Sequence, residues 1–234
     1  MNGLIHSIQT LGTVDGPGVR CVVFLQGCPL RCICCHNPDT QAFSGGQSVD
    51  VYTLADQLTR YRNYWGKDGG VTVSGGEPLA QARFCLELFK ELHSRGIHTA
   101  LDTSGCYLND SVRELLNYTD LVLLDYKYSN ETDYRRYTGG SLLQTEAFLQ
   151  ACNDSDIPVW LRRVIIPGIN DTPDETWSLK EIAAQYPVVK KIELLPFRKM
   201  CIPKYEALGI PFPLRDTPEP SPLLMDKLNQ ILSE

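Results

Sequence analysis

The sequence carries no excess of positive charge: its 234 residues hold 22 Lys and Arg against 28 Asp and Glu, for a formal net charge of −6. No basic field is available to condense on a phosphate backbone or an anionic lipid surface, which argues against a nucleic-acid partner. Long apolar runs are missing too. The longest, such as Leu121–Leu124 and Val164–Ile166, fall far short of the ~20 residues that a membrane-crossing helix needs. The opening Met1-Asn2-Gly3-Leu4 lacks the charged start and apolar stretch of an export signal, so a soluble, cytoplasmic monomer with no membrane partner is expected. Low-complexity tracts and internal repeats are also absent. With 43% hydrophobic residues the chain can bury a core without crosslinks, and a single domain over residues 1–234 is expected.

Cysteine is plentiful but badly distributed for disulfides. Cys28, Cys32, Cys34 and Cys35 fall within eight residues, while Cys21, Cys85, Cys106, Cys152 and Cys201 are solitary, and the total of nine is odd. In a reducing compartment such a cluster points to metal or redox chemistry, and the solitary cysteines read as small buried apolar side chains.

Short β-branched runs alternate with longer stretches of helical periodicity, a βα rhythm. Strands are expected at Arg20–Gln26, Gly70–Ser74, His98–Thr103, Leu121–Asp125, Val159–Ile165 and Val189–Leu195. Helices are expected at Val51–Arg62, Leu79–Arg95, Asn109–Asn117, Leu142–Asn153 and Pro173–Gln185, with Leu223–Ser233 closing the chain. Six units leave two α/β architectures, an open doubly wound sheet and an incomplete barrel, and both gather ligands at the carboxyl ends of parallel strands. Residues 196–222 contain seven of the chain's 15 prolines and are expected to form an extended, ordered arm beside a groove for a partner.

The loop at residues 27–37 follows the first of these strands and contains C-x3-C-x2-C, with Cys28, Cys32 and Cys35 in the motif positions. Three thiolates on one short loop can grip three irons of a cubane and leave the fourth open to a substrate. Zinc is the alternative, although structural zinc sites usually draw on two separated cysteine pairs and no second pair exists here. Cys34 is a further alternative ligand that would close the cluster, but neighbouring side chains tend to diverge.

This loop, followed by Gly75-Gly76-Glu77-Pro78 after the second strand, resembles the radical S-adenosylmethionine superfamily. The resemblance extends to Gly12-Thr13-Val14-Asp15-Gly16-Pro17-Gly18-Val19-Arg20, Cys35-His36-Asn37, Leu101-Asp102-Thr103, Leu124-Asp125-Tyr126-Lys127, Val164-Ile165-Ile166-Pro167-Gly168 and Lys191-Ile192-Glu193-Leu194-Leu195-Pro196. These segments are similar to those of pyruvate formate-lyase activating enzymes and span nearly the whole chain. The resemblance implies a partial (β/α)6 barrel of parallel strands, a [4Fe–4S] cluster on Cys28, Cys32 and Cys35, and S-adenosylmethionine as cosubstrate. It also implies reductive cleavage of that cofactor, and abstraction of hydrogen from a backbone glycine of a glycyl radical enzyme. Pyruvate formate-lyase is the expected partner and flavodoxin or ferredoxin the expected electron donor. The alternatives are activation of another glycyl radical enzyme, such as anaerobic ribonucleotide reductase, or a non-catalytic iron–sulfur carrier or zinc-binding module. The last two leave the glycine pair and the strand-end charges without a role.

By the same resemblance, Gly76 and Glu77 meet the amino group of the cofactor, and Asp125, Tyr126, Lys127 and Arg162 contact the rest of it. Cys34, Cys35 and His36 would line the adenine side. Asp102, Thr103 and Asp125 resemble a monovalent-cation site. Two residues depart from the family pattern: Cys34 stands where an aromatic residue is usual, and Arg198 stands where a histidine is common. An arginine can still donate to ribose or carboxylate, but it does not titrate near neutrality. His6, His93 and His98 carry no comparable context.

Overall fold

The computed structural model describes residues 1–233. In chain order the elements are β1 (Asn2–Gly12), β2 (Arg20–Leu25), β3 (Gln47–Asp50), α1 (Val51–Thr59), β4 (Gly70–Gly75), α2 (Ala82–Ser94), β5 (Thr99–Thr103), α3 (Asp110–Leu116), β6 (Leu121–Asp125), α4 (Glu131–Thr138), α5 (Leu142–Asp154), β7 (Val159–Ile165), α6 (Pro173–Ala184), β8 (Val189–Pro196), α7 (Ile202–Leu208) and α8 (Pro222–Ser233). They build one sheet in the order β3-β1-β2-β4-β5-β6-β7-β8. β2 and β4 to β8 are parallel, which is the expected partial (β/α)6 barrel, open between its edges. β1 pairs antiparallel with β2 and with β3, extending one edge.

Alternation along the strands divides the sheet into two faces. Cys21, Val23, Leu25, Val71, Val73, Leu101, Val122, Leu124 and Leu161 face the helices and form the main core. The opposite face is apolar only deep in the barrel, where Ala100, Leu121 and Leu123 pack with Trp160. Nearer the carboxyl ends it carries charge. Register puts Asp125, Arg162 and Glu193 side by side on β6, β7 and β8. Three helices begin where polar side chains cap free backbone N–H groups: Asn109 accepts from Val112, Asn130 from Asp133, and Thr172 from Glu175, with Pro173 in the first turn.

The segment between β1 and β2 is tied to the start of β4 through Arg20, the first residue of β2. Arg20 is fully buried there and donates to Thr72 Oγ1 and to the carbonyls of Pro17, Asp68 and Val71, while Thr72 Oγ1 donates to the Asp15 carbonyl. The Gly18 backbone touches Asp68 and Gly69, a position with φ +67° and no room for a Cβ.

The structure corrects four expectations. β1 and β3 were not anticipated, nor was α4. Residues 196–222 are not an extended arm throughout, because they contain α7. Pro203 falls within the first turn of that helix, where a missing N–H costs nothing.

Candidate active site

The cluster loop is anchored before it reaches its first cysteine. Gln26 donates through its side-chain amide to the carbonyls of Asp39 and Ala42, Gly27 N–H donates to Thr40, and Cys28 N–H donates to Gln41. Further on, Arg31 and Ile33 donate their N–H groups to Thr138 and Tyr137 at the end of α4. Cys28, Cys32, Cys34 and Cys35 all line a cavity of about 360 Å³ at the carboxyl ends of the strands. Among the described residues no three His, Cys, Asp or Glu side chains converge closely enough to hold a single metal ion. Three thiols on one short loop, with no second cysteine pair in the chain, are a donor set suited to an iron–sulfur cubane and not to a four-ligand structural zinc site.

Burial, reinforced by Glu77, pushes the Cys28 thiol up to about 12, and burial likewise pushes Cys32 up to about 11 and Cys34 up to about 12. Cys34 also packs with Ile33 against a second apolar core of Ile166, Phe197, Cys201, Tyr205, Phe212 and Leu214.

His36, Gly76, Glu77, Asp102, Thr103, Asp125, Lys127 and Arg162 line the same cavity. Lys127 Nζ donates to Asp125 Oδ2 at 2.9 Å. Burial works against the lysine's charge, but Asp125 together with Cys32, Cys34 and Tyr134 outweighs it and holds Lys127 well above the usual range. Burial would raise Asp125, yet Lys127 and Arg162 hold it low, whereas burial wins at Asp102 and pushes it up to about 6. Asp102 keeps Ser74 Oγ at 2.7 Å and a long contact to Arg162 at 3.4 Å. Arg162 is the least satisfied group of the rim. It is 9% exposed, its Nε has no hydrogen-bond partner, and Glu193 lies 3.9 Å away. Arg162 thus brings an incompletely hydrogen-bonded cation to the wall of the cavity.

Several residues sit differently from the sequence expectation. The Glu77 carboxylate is 2% exposed and accepts from Leu79 N–H, Thr103 Oγ1, Ser104 N–H and Ser104 Oγ. It ties the glycine-pair loop to the end of β5 and has no free lone pair aimed at a ligand. The Thr103 hydroxyl is tied into the same network, donating to Glu77 and accepting from Gly105 N–H. A Cβ on Gly75 would strike Leu25, and one on Gly76 would strike the Gly27 carbonyl; neighbouring backbone, not a ligand, requires these two glycines.

The Tyr126 side chain points away from the cavity, donating its hydroxyl to Glu146 Oε1, so only its backbone is near the rim. The Arg198 guanidinium pairs with Glu219 at 2.7 Å outside the cavity, while its carbonyl accepts from His36 Nε2 at 2.9 Å. Asp15, Ser74 and Glu193 were missed. Asp15 and Ser74 line the cavity, and Glu193 flanks Arg162; alternation along their strands marked Ser74 and Glu193 as facing Asp102 and Arg162.

Residues 14–145 match a 4Fe-4S single cluster domain. The chain is 42% identical over 233 residues to the pyruvate formate-lyase-activating enzyme of Clostridium pasteurianum, covering 99% of this chain and 98% of that one. A crystal structure of a domain of pyruvate-formate lyase-activating enzyme from Bacteroides vulgatus superposes with TM-score 0.59 and 25% identity, covering 70% of this chain and 93% of the domain. The fold is also that of SuiB from Streptococcus suis bound to precursor peptide SuiA, with TM-score 0.71 and 13% identity over 91% of this chain and 44% of that one. Full-length identity of that degree, on a chain whose three-cysteine loop faces an acid–base rim across one cavity, establishes that this protein belongs to the pyruvate formate-lyase-activating enzyme family of the radical S-adenosylmethionine superfamily.

Proposed function

We propose that this chain activates pyruvate formate-lyase by installing a radical on a backbone glycine of that enzyme. The observation that carries the reading is the pairing of a three-thiol loop with the unpartnered Arg162 Nε across one cavity in a member of this family. A [4Fe–4S] cluster held by Cys28, Cys32 and Cys35 would supply the electron for reductive cleavage of S-adenosylmethionine, and that chemistry would allow hydrogen to be taken from the partner glycine.

The chain's own residues prepare the two ligands. Cys28, Cys32 and Cys35 hold the cluster, and because burial keeps the Cys28 and Cys32 thiols protonated near neutrality, loading releases protons. The Arg162 guanidinium, which lines the cavity, would meet the carboxylate of the cofactor, and the Gly76 backbone its amino group. Lys127 keeps Asp125 ionised by their 2.9 Å contact. Asp102, left with too little positive charge nearby, accepts a monovalent cation together with Asp125 and the Thr103 carbonyl. His36 and the backbone of Cys34 and Cys35 line the adenine side, and Tyr126 contributes only main chain. The chain acts as a monomer and draws electrons from a flavodoxin or ferredoxin.

Anaerobic reconstitution with iron and sulfide, followed by reduction with S-adenosylmethionine present, should release 5′-deoxyadenosine. Adding pyruvate formate-lyase should then produce a protein glycyl radical in the electron paramagnetic resonance spectrum. A chain that takes up only zinc, or iron without releasing 5′-deoxyadenosine, would overturn the reading.

A further inference from the structure

Around the first two motif cysteines the backbone is held by Gln41, which accepts from Cys28 N–H, and by Tyr137 and Thr138 at the end of α4, which accept from Ile33 and Arg31. The third is different. Within its own loop Cys35 has only a turn bond to the Cys32 carbonyl. Besides short-range bonds from Gln26, Thr40 and Gln41 to the carbonyls of residues 37–39 and a His6–Asp39 contact at 3.2 Å, residues 35–39 are held from the other end of the sequence. Tyr205 Oη donates to the Cys35 carbonyl at 3.2 Å, His36 Nε2 donates to the Arg198 carbonyl at 2.9 Å, and Lys204 Nζ reaches Asn37 Oδ1 at 2.8 Å and Asp39 at 3.2 Å.

Behind these bonds the Tyr205 ring is 4% exposed and packs at a 45° tilt against Phe212, 4.7 Å away, which in turn lies 6.1 Å from Phe197. Ile33 and Cys34 pack against that cluster. The barrel is open between β8 and the β2 side of the sheet, and this contact bridges the opening at the rim.

We propose that residues 196–222 form a clasp for the cluster loop, with Tyr205 as the positioning residue for the third cysteine. This rests on the cluster reading above. A loop that presents three thiolates binds a cubane tightly only if ordering it is not charged against binding, and the clasp orders Cys35 in advance. It also assigns a role to the proline-rich segment that differs from the expected partner groove. Its prolines fix the path around α7, and its aromatic face is turned inward onto the loop.

The test compares wild type with Tyr205→Phe, Tyr205→Ala and Thr119→Val after anaerobic reconstitution. Iron release to an excess of chelator is followed by absorbance, alongside thermal unfolding and the electron paramagnetic resonance spectrum of the reduced cluster. Thr119 is a buried hydroxyl bonded to the Leu115 carbonyl at the far end of the barrel, so its variant also loses one buried bond. Tyr205→Phe should release iron about fivefold faster than wild type, the effect of one hydrogen bond, and Tyr205→Ala faster still. Thr119→Val should release at the wild-type rate, although it melts as low as Tyr205→Phe. Wild-type release from Tyr205→Phe, or equal acceleration in Thr119→Val, would overturn the clasp while leaving the cluster reading intact. A wild-type chain that takes up no iron would overturn both.

Discussion

β7 carries two consecutive arginines that point to opposite faces of the sheet, and their surroundings differ in kind. Arg163 enters the helix-covered face and is 1% exposed. It donates to the Tyr126 carbonyl, the Glu175 carbonyl and carboxylate, and Ser129 Oγ. Arg162 enters the cavity with a long contact to Asp102 and an unpartnered Nε. Burial lowers the Arg163 guanidinium to about 10, with few carboxylates to oppose it. At Arg162 burial also works against the charge, but Asp102, Asp125, Asp15 and Glu193 outweigh it and hold it above the usual range. A buried arginine whose donors are all engaged is part of the scaffold. One that is surrounded by negative charge yet short of hydrogen bonds is waiting for a ligand.

The sharpest way to break that contrast is to truncate each arginine. Arg163→Met removes donors from several buried acceptors and should cost about 3–5 kcal/mol. In a chain of this size that lowers the melting temperature by on the order of 10 °C. Arg162→Met should melt within a few degrees of wild type but bind S-adenosylmethionine at least tenfold more weakly, as measured by titration of the anaerobic, cluster-loaded protein. If Arg162→Met melts as low as Arg163→Met, both arginines are structural and the distinction fails.

Glu77 extends the comparison to carboxylates, because it sits at the cavity wall with every acceptor engaged. Glu77→Gln replaces one acceptor oxygen with a donor facing other donors and should lower stability by about 2 kcal/mol. Unchanged melting combined with weaker cofactor binding would return Glu77 to the ligand-contact role expected from its motif.

Asp102 is the opposite case, ionised at a cost. Its native pKa lies above the unfolded value, so its contribution to stability is full at low pH and is lost as pH rises through about 6. Without added cation, Asp102→Asn should therefore melt a few degrees above wild type at pH 8, with the difference shrinking between pH 6 and 4. It should also lose any dependence of cofactor binding on monovalent cations. A variant less stable than wild type at pH 8 would show that Ser74 and Arg162 already compensate the charge.

Most of the parallel strands were legible because they are buried on both faces near their starts and read as apolar runs; Leu121–Asp125 and Val159–Ile165 match residue for residue. β1 was not, because His6, Ser7, Gln9 and Thr10 break its apolar pattern. α4 is mostly polar and buries only Tyr134 and Thr138, although Asn130 as cap and Gly139 at φ +73° were signals of its ends. At the site, residue types and spacing revealed the cavity lining but not side-chain direction. Tyr126 follows Asp125 on a strand and so must face the other way, a consequence of alternation that motif matching alone passes over. The Tyr205 contact with Cys35 spans 170 positions, and nothing local in the sequence encodes it.

The smallest effect is expected at Arg198, which tests whether a departure from the family pattern reaches the chemistry. Its guanidinium is half exposed and paired with Glu219, a surface bridge of the kind that contributes about 0–1 kcal/mol. The cavity is served instead by its carbonyl, which any residue supplies. Arg198→Ala should therefore keep His36 in place, melt within about 1 °C of wild type, and release 5′-deoxyadenosine at a rate within twofold of it. A tenfold fall in that rate with unchanged melting would mean that the guanidinium leaves Glu219 and turns into the cavity when the cofactor binds, and the rim would then hold two arginines that act on the ligand.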